Sequence, residues 1–152
     1  MSALYMERCL ELANFASSQG EVPVGAVVVY RNQIIAEGWN CRETLQCATR
    51  HAEMMAIEKA CENLHAWRLL ECELYVTLEP CIMCTGALLQ SRIPAVVFAT
   101  SDPKGGACGS LFSLHADPRL NHRFSLRQDV AYAERSKMLL QSFFTQRRSN
   151  RF

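Results

Sequence analysis

Two short motifs contain the residue types that zinc-dependent hydrolases use. His51 and Glu53 are separated by one residue, and Pro80 is followed by Cys81 and Cys84. One imidazole and two thiolates suit a borderline-soft ion such as Zn²⁺, whereas Mg²⁺ and Ca²⁺ prefer oxygen ligands. Three protein ligands leave the fourth tetrahedral position to water, whose pKa zinc lowers to about 7. The pattern therefore predicts a hydrolytic zinc site with His51, Cys81 and Cys84 as ligands and Glu53 as a carboxylate outside the ligand set.

The spacing of these residues predicts that they lie at the beginnings of two helices. Cys81 and Cys84 are three residues apart and follow a proline, which is typical of a first helical turn whose positive end stabilises thiolates. His51 and Glu53 are two residues apart, so they can reach a common site only within a first turn. Thr49 lies just upstream and is a suitable N-cap for that helix. The site is thus expected between two helix N-termini.

Other interpretations of the cysteine pair remain open. A Cys-x-x-Cys pair alone also occurs in thioredoxin-like redox proteins and as half of a zinc finger. The His-x-Glu motif on a separate predicted helix argues against a redox pair. A structural zinc site would need a fourth ligand, for which Cys47, Cys108 and His65 are the candidates. Glu53 would then have no evident purpose, so the catalytic interpretation is preferred.

Length and composition are typical of a globular protein without a membrane segment. The 152 residues are 49% hydrophobic and 20% charged, which suits one domain spanning 1–152. The N-terminus lacks the basic and then apolar order of a secretory signal, and no apolar run approaches the roughly 20 residues of a membrane span. Without a signal, the eight cysteines indicate reduced thiols and a cytoplasmic location rather than disulfides.

Basic side chains are concentrated near the end of the chain. The net charge of +1 does not by itself indicate a nucleic-acid partner. Arg147, Arg148 and Arg151 nevertheless cluster at the C-terminus and Lys104 lies in a preceding loop, so these side chains are candidates for local phosphate contacts. A solvated basic tail is the alternative, and the charge pattern alone does not decide between the two.

The hydrophobic pattern alternates between helices and strands. Apolar residues at helical spacing predict a helix over 3–19, and two apolar runs around a polar turn predict a hairpin of 26–30 and 34–38. Strands that are joined through helices predict parallel neighbours, with both metal-binding helices beginning at the carboxyl edge of the sheet. The remaining predicted elements are a helix over 51–64, a strand over 74–78, a helix over 81–91, a strand over 95–99, a loop with short helical pieces from 101 and a helix over 130–146.

The two motifs resemble the His-x-Glu and Pro-Cys-x-x-Cys signature of the zinc nucleobase deaminases. Deaminases of cytosine, guanine, deoxycytidylate and riboflavin precursors share this signature, so it indicates the reaction better than the substrate. The similarity extends over residues 3–148 and is most specific to the bacterial tRNA-specific adenosine deaminases. The segments that carry it are 21–27, 38–40, 75–79, 102–107, 109–111 and 121–123.

This resemblance implies an α/β fold of the cytidine-deaminase type, with three layers, α/β/α, around a five-stranded mixed sheet. It implies a homodimer with one Zn²⁺ per subunit and hydrolytic deamination of adenosine to inosine at the wobble position of an arginine tRNA anticodon. The partner would be the anticodon stem-loop, whose stacked adenosine must be flipped into the site. Glu53 would take a proton from the attacking water, deliver it to N1 of adenine and help ammonia to leave.

The resemblance also implies which residues bind the substrate. Asn40 would contact the purine, and Asp102, Asn121 and His122 would lie along the RNA. Asn40 and Asp102 each have an alternative role as turn residues. A free-base deaminase acting on guanine or cytosine and a non-catalytic zinc protein remain alternative functions. The expected phosphate contacts are Lys104, Arg147 and Arg148.

Overall fold

Five strands form one mixed sheet in the computed structural model, which describes residues 2–149. The strands are β1 (Gly25–Tyr30), β2 (Gln33–Trp39), β3 (Cys72–Leu78), β4 (Ala95–Thr100) and β5 (Ser125–Gln128). Their order in the sheet is β2-β1-β3-β4-β5. β1 pairs antiparallel with both β2 and β3, whereas β3 and β4, and β4 and β5, are parallel.

Helices cover both faces of this sheet. They are α1 (Ser2–Ser18), α2 (Arg42–Leu45), α3 (Ala52–Leu64), α4 (Ile82–Gln90) and α5 (Val130–Ser149), with a 3₁₀ turn at Leu114–Ala116. α1 and α5 pack on one face, and α3 and α4 pack on the other. The predicted three-layer α/β/α fold is therefore confirmed. None of the helices within residues 2–149 is long and apolar enough to cross a membrane.

The central strand β1 shows why both faces need a helical layer. Ala26 and Val28 belong to the apolar cluster under α3 and α4. Val27 and Val29 belong to the cluster under α1. Because successive side chains of a strand point to opposite faces, an apolar residue at every position makes both faces of the strand apolar. Each face is then buried by a layer of helices.

Gly38 brings helix α3 close to the sheet. A Cβ atom at this position would lie 2.1 Å from the carbonyl oxygen of Ala52 and 2.8 Å from the backbone nitrogen of Ala56. Only a residue without a side chain allows the first turn of α3 to approach the end of β2 this closely. The glycine thereby sets the position of His51 and Glu53 relative to the sheet edge.

The connections between strands differ in one respect from the sequence prediction. α4 joins β3 to β4, and these strands are parallel neighbours as predicted. α3 joins β2 to β3, which run in the same direction, but β1 lies between them. The prediction of parallel neighbours is wrong for this pair because β1 pairs with β2 on one side and with β3 on the other.

The region after β4 contains a strand that the hydrophobic pattern did not predict. β5 is an edge strand of four residues, of which only Leu126 is partly buried. A strand with so little apolar alternation has no recognisable sequence signal, and it exists here because β4 supplies the backbone partners. The last helix also differs from its prediction, since α5 continues to Ser149 rather than ending at 146.

Candidate active site

The beginnings of α3 and α4 meet at the carboxyl edge of the sheet. His51 is the N-cap of α3 and Cys81 is the N-cap of α4, and both have extended backbones with ψ of 159° and 179°. Neither side chain caps its own helix, so both point to the shared site. The prediction that Thr49 is the N-cap is wrong because a turn intervenes, in which the His51 N–H donates to the Thr49 carbonyl at 2.8 Å.

Three potential metal ligands converge at this point. The sulfur of Cys81 lies 3.6 Å from Nδ1 of His51, and the sulfur of Cys84 lies 3.5 Å from the same nitrogen. All three ligand atoms lie within 4.8 Å of one another. Zinc–sulfur and zinc–nitrogen bonds at a tetrahedral angle place sulfur and nitrogen about 3.6 Å apart. The donor set and its spacing therefore fit Zn²⁺.

Within the described part of the chain, no fourth protein ligand completes this cluster. Among residues 2–149, the group of His, Cys and acidic side chains that could hold a metal consists of His51, Cys81 and Cys84. Cys47 and His65 lie outside the group, as does Cys108, whose sulfur is 3.3 Å from the Thr85 hydroxyl. Three potential ligands that leave one coordination position open match the catalytic type of zinc site rather than the closed structural type.

The two thiols differ in their tendency to ionise. Hydrogen bonds from Cys84 and from His51 lower the pKa of Cys81 to about 4, although partial burial opposes this shift. The Cys81 sulfur and burial together raise the pKa of Cys84. The hydrogen bond with Cys81 raises the pKa of His51, despite its desolvation. A divalent cation in this position would stabilise both cysteines as thiolates and the imidazole as the neutral form.

Glu53 is the buried carboxyl group beside the three ligands. Its side chain is only 4% exposed, and burial raises its pKa to about 7. It lies in the first turn of α3, one residue after Ala52. A carboxyl group that titrates near neutral pH can both accept and donate a proton, which is the requirement for a general acid–base catalyst.

A cavity of about 150 Å³ opens beside these groups. Asn40 and Asp102, two of the predicted substrate contacts, line this cavity together with His51, Glu53 and Cys81. Its walls come from the segment before β1, the residues between β2 and α2, the end of β3, the two helix N-termini and the loop after β4. The other lining residues are Val22, Val24, Arg42, Ala52, Leu78 and Glu79.

Asn40 and Asp102 also act as turn residues, which is the alternative role predicted for them. The Asn40 amide donates to the Val22 carbonyl at 3.4 Å, and its oxygen accepts from the Arg42 N–H at 3.3 Å. Oδ1 of Asp102 accepts from the backbone N–H groups of Lys104 and Gly105 at 3.1 and 3.2 Å. Each residue therefore closes a turn and lines the cavity.

A larger groove of about 1310 Å³ continues from the cavity. The two share Val22, Leu78 and Asp102 as lining residues. The remaining wall is formed largely by the loop after β4 and by α5. Its cationic side chains are Lys104, Lys137, Arg147 and Arg148. The basic residues predicted to contact phosphate therefore lie next to the cavity, whereas Arg151 is outside the described residues.

Asn121 and His122 are not brought to this cavity. Nε2 of His122 lies 2.9 Å from the carbonyl oxygen of Ile93, just before β4 begins. The segment that precedes β5 lies at the amino edge of β4, because the two strands are parallel. Neither residue lines the cavity or the groove, and their contact with RNA stays a prediction.

Sequence reasoning assigned no role to two buried carboxylates near the cavity. Glu21 is 1% exposed and Glu79 is 2% exposed. Each accepts hydrogen bonds from backbone N–H groups of an irregular segment, so each holds one wall of the site. The available signal was a charged residue inside an apolar segment, which for Glu79 lies directly before the Pro-Cys motif.

Comparisons with known proteins agree with this fold. Residues 2–148 match the family of MafB19-like deaminases. A tRNA-specific adenosine deaminase of Bacillus subtilis is 45% identical over 97% of this chain and 91% of its own length. This chain therefore belongs to the bacterial tRNA-specific adenosine deaminase family.

Solved structures show the same architecture. A structure from a study of A-to-I editing by tRNA:A34 deaminases at the wobble position of transfer RNA has a TM-score of 0.87 and 38% identity. That match covers 91% of this chain and 99% of the other. A guanine deaminase of B. subtilis has a TM-score of 0.62 and 42% identity over 65% of this chain and 64% of its own. The fold is thus shared by deaminases of different substrates.

Proposed function

We propose that this chain is a Zn²⁺-dependent deaminase that converts adenosine to inosine at the wobble position of a tRNA anticodon. The observation that carries this proposal is the continuity between the small cavity at Glu53 and the large groove lined by Arg147 and Arg148. A cavity of about 150 Å³ holds one base, and a basic groove beside it accommodates the flanking nucleotides. The names of its relatives support the same substrate.

The metal would be held by His51, Cys81 and Cys84, whose sulfur–nitrogen separations of 3.5 and 3.6 Å suit a tetrahedral ion. Zn²⁺ bound there would supply the Lewis acidity that makes water nucleophilic at neutral pH. The three side chains would be ordered before metal arrives, because two are helix N-caps and the third, Cys84, lies in the first turn of α4.

Glu53 would move the protons of the reaction. It accepts a proton from the attacking water while oxygen adds to C6 of adenine, and it delivers that proton to N1. As the C6–N6 bond breaks, Glu53 takes the remaining proton from the oxygen that was added to C6 and passes it to the leaving nitrogen, so adenosine and water become inosine and ammonia. Burial, which raises the pKa of Glu53 to about 7, suits a group that must alternate between these two roles.

The remaining predicted residues would position the RNA. Asn40 and Asp102 line the cavity and would contact the flipped nucleotide, while Lys104 and the two arginines of α5 would bind phosphates along the groove. Asn121 and His122 lie away from the cavity, so we propose that they contact a more distant part of the tRNA or the RNA bound to the other subunit of a homodimer. The family resemblance supports this homodimer, an arginine tRNA as substrate, a single deaminase domain over 1–152 and a cytoplasmic location.

A free-base deaminase acting on guanine is the second candidate. The structural relationship to a guanine deaminase supports it. A free base needs only the cavity, however, and the open basic groove would then have no purpose.

An anticodon stem-loop RNA with adenosine at the wobble position tests this proposal. The zinc-loaded protein is incubated with the RNA, and the nucleosides are identified by mass spectrometry. We expect inosine at the wobble position and none in a matched stem-loop that carries adenosine only elsewhere in the loop. Conversion of free guanine without any inosine in RNA would favour the second candidate. Absence of every deamination by the zinc-loaded protein would indicate a non-catalytic zinc protein.

A further inference from the structure

Glu79 is a buried carboxylate that holds the loop after β4. One oxygen accepts from the backbone N–H of Asp102 at 3.0 Å and from the Ser110 hydroxyl. The other oxygen accepts from the backbone N–H groups of Cys108 and Ser110, both at 3.1 Å. All four donors belong to the loop 101–113, so one side chain fixes this loop at two separate points.

The same loop is attached to the turn that carries the first cysteine ligand. The backbone N–H of Ala107 donates to the Pro80 carbonyl at 2.9 Å, and Gly106 forms an antiparallel bridge with Cys81. A Cβ atom on Gly106 would lie 2.1 Å from Oε2 of Glu79. The carboxylate is therefore enclosed between the turn at Cys81 and the loop.

Glu79 affects the substrate cavity through Asp102. This residue lines both the cavity and the groove, and Glu79 accepts the hydrogen bond from its backbone N–H. We propose that Glu79 is a positioning residue that holds the Asp102 wall of the substrate cavity at a fixed distance from the Cys81 ligand. This role rests on the proposed function, since its effect on catalysis is exerted through the RNA-facing loop.

Glu21 is a matched control that holds a different segment, α2. Its two oxygens accept from the backbone N–H groups of Glu43 and Thr44, at 3.1 and 2.6 Å, and from the Thr44 hydroxyl. These donors belong to α2 and do not include the loop after β4. Glu21 is as buried as Glu79, so replacing it tests for general effects of losing a buried carboxylate.

The substitution Glu79→Gln nearly preserves the shape of the side chain. The NH₂ group of the glutamine can donate hydrogen bonds but cannot accept them, so at least one buried N–H group of the loop loses its acceptor. The loss of such a hydrogen bond is expected to shift the loop and lower kcat/KM on the stem-loop RNA by about tenfold or more. Because Asp102 is positioned through Glu79, the effect of Asp102→Ala should shrink once Glu79 has been replaced.

A double-mutant cycle measures this dependence. kcat and KM are determined for the wild type, Glu79→Gln, Asp102→Ala and the double variant, each with its zinc content confirmed. We expect the factor lost on Asp102→Ala to be at least about fivefold smaller in the Glu79→Gln background. In the same cycle with Glu21→Gln in place of Glu79→Gln, the factors by which the two substitutions lower kcat/KM should multiply. Multiplicative effects in both cycles would overturn the proposal, because they would give Glu79 only a general effect on stability.

Amide hydrogen exchange provides a measurement that does not depend on the substrate. We expect Glu79→Gln to increase exchange at Asp102, Cys108 and Ser110 while Glu43 and Thr44 stay protected, and Glu21→Gln to do the reverse. If the wild type fails to edit RNA, the proposed function fails, but this experiment still tests the positioning role. Unchanged exchange across the loop in folded Glu79→Gln protein would refute that role.

Discussion

His51 and Cys81 occupy the same position, the N-cap, of two different helices, and their side chains lie 3.6 Å apart. N-cap side chains usually accept hydrogen bonds from their own helix, but neither does so here. Both helix N-termini consequently point their partial positive charge toward the site. This arrangement stabilises the Cys81 thiolate and would stabilise negative charge that develops on the attacking oxygen.

Replacement of Glu53 by alanine should separate catalysis from metal binding. Glu53→Ala is expected to retain zinc and the fold, but to lose at least the factor of about 10²–10⁴ owed to general acid–base catalysis. Metal analysis and inosine formation under single-turnover conditions measure the two properties. Glu62→Ala, an exposed position on the same helix, serves as the control and should retain full activity. Near-normal turnover by Glu53→Ala would rule out the proposed proton transfer.

Replacement of Cys84 should abolish metal binding together with activity. Cys84→Ala removes one of three converging ligands, and two remaining ligands bind Zn²⁺ too weakly to survive purification and dialysis. Zinc content per chain is the measurement, and Cys47→Ala, which lies outside the ligand cluster, is the matched control. Stoichiometric zinc in the Cys84 variant would remove this residue from the ligand set.

Because the groove is basic, we expect Arg147 and Arg148 to make a salt-dependent contribution to RNA binding. Arg147→Ala and Arg148→Ala together should weaken binding by a similar factor for different loop sequences, because phosphate contacts carry no base specificity. Each lost contact should also reduce the slope of log K against log salt by about 1. Binding of stem-loop RNA across a salt series measures both effects. Arg31→Ala, exposed in the β1–β2 turn, should leave the slope unchanged, and an unaltered slope in the double variant would argue against phosphate contact.

Two glycines should respond in opposite ways to alanine. Gly38→Ala places a Cβ atom 2.1 Å from the Ala52 carbonyl oxygen, so it should lower the free energy of unfolding by about 1–3 kcal/mol or prevent folding. Gly86 lies within α4, and no atom apart from its chain neighbours and the adjacent helix backbone lies within 4 Å of such a Cβ. Gly86→Ala should therefore raise the free energy of unfolding by about 0.5–1 kcal/mol. Urea unfolding of both variants tests this, and equal destabilisation would contradict the close approach of α3 to β2.

Some features of this chain were predictable because their physical cause is local. The helices α3 and α4, the hairpin of β1 and β2 and the strand β4 follow from periodic apolar residues and turn residues. The placement of His51 and Glu53 at the start of one helix also followed from the rotation per residue in a helix, although His51 is the N-cap and only Glu53 lies in the first turn. The N-cap was misplaced at Thr49 because a short backbone turn, which ends at His51, has no distinct sequence signal.

Other features depended on pairing between distant segments. β5 has a single partly buried residue, Leu126, and was recognisable only through its register with β4. Asn121 and His122 lie away from the cavity because the parallel pairing of β4 and β5 places the preceding segment at the amino edge. The role of Glu79 was likewise hidden, since its hydrogen-bond partners follow it by 23 to 31 residues.

The sequence by itself determined the side chains of the candidate metal site: the types of its potential ligands, the separate carboxylate and the helix starts that hold them. These properties depend on side-chain chemistry and on spacings of a few residues, which local backbone geometry converts directly into positions. Only the tertiary structure decided that His51 meets Cys81 and Cys84 at 3.5 to 3.6 Å, and which loops line the cavity. Such long-range placement depends on strand order and on backbone pairing across the sheet, which no local pattern encodes.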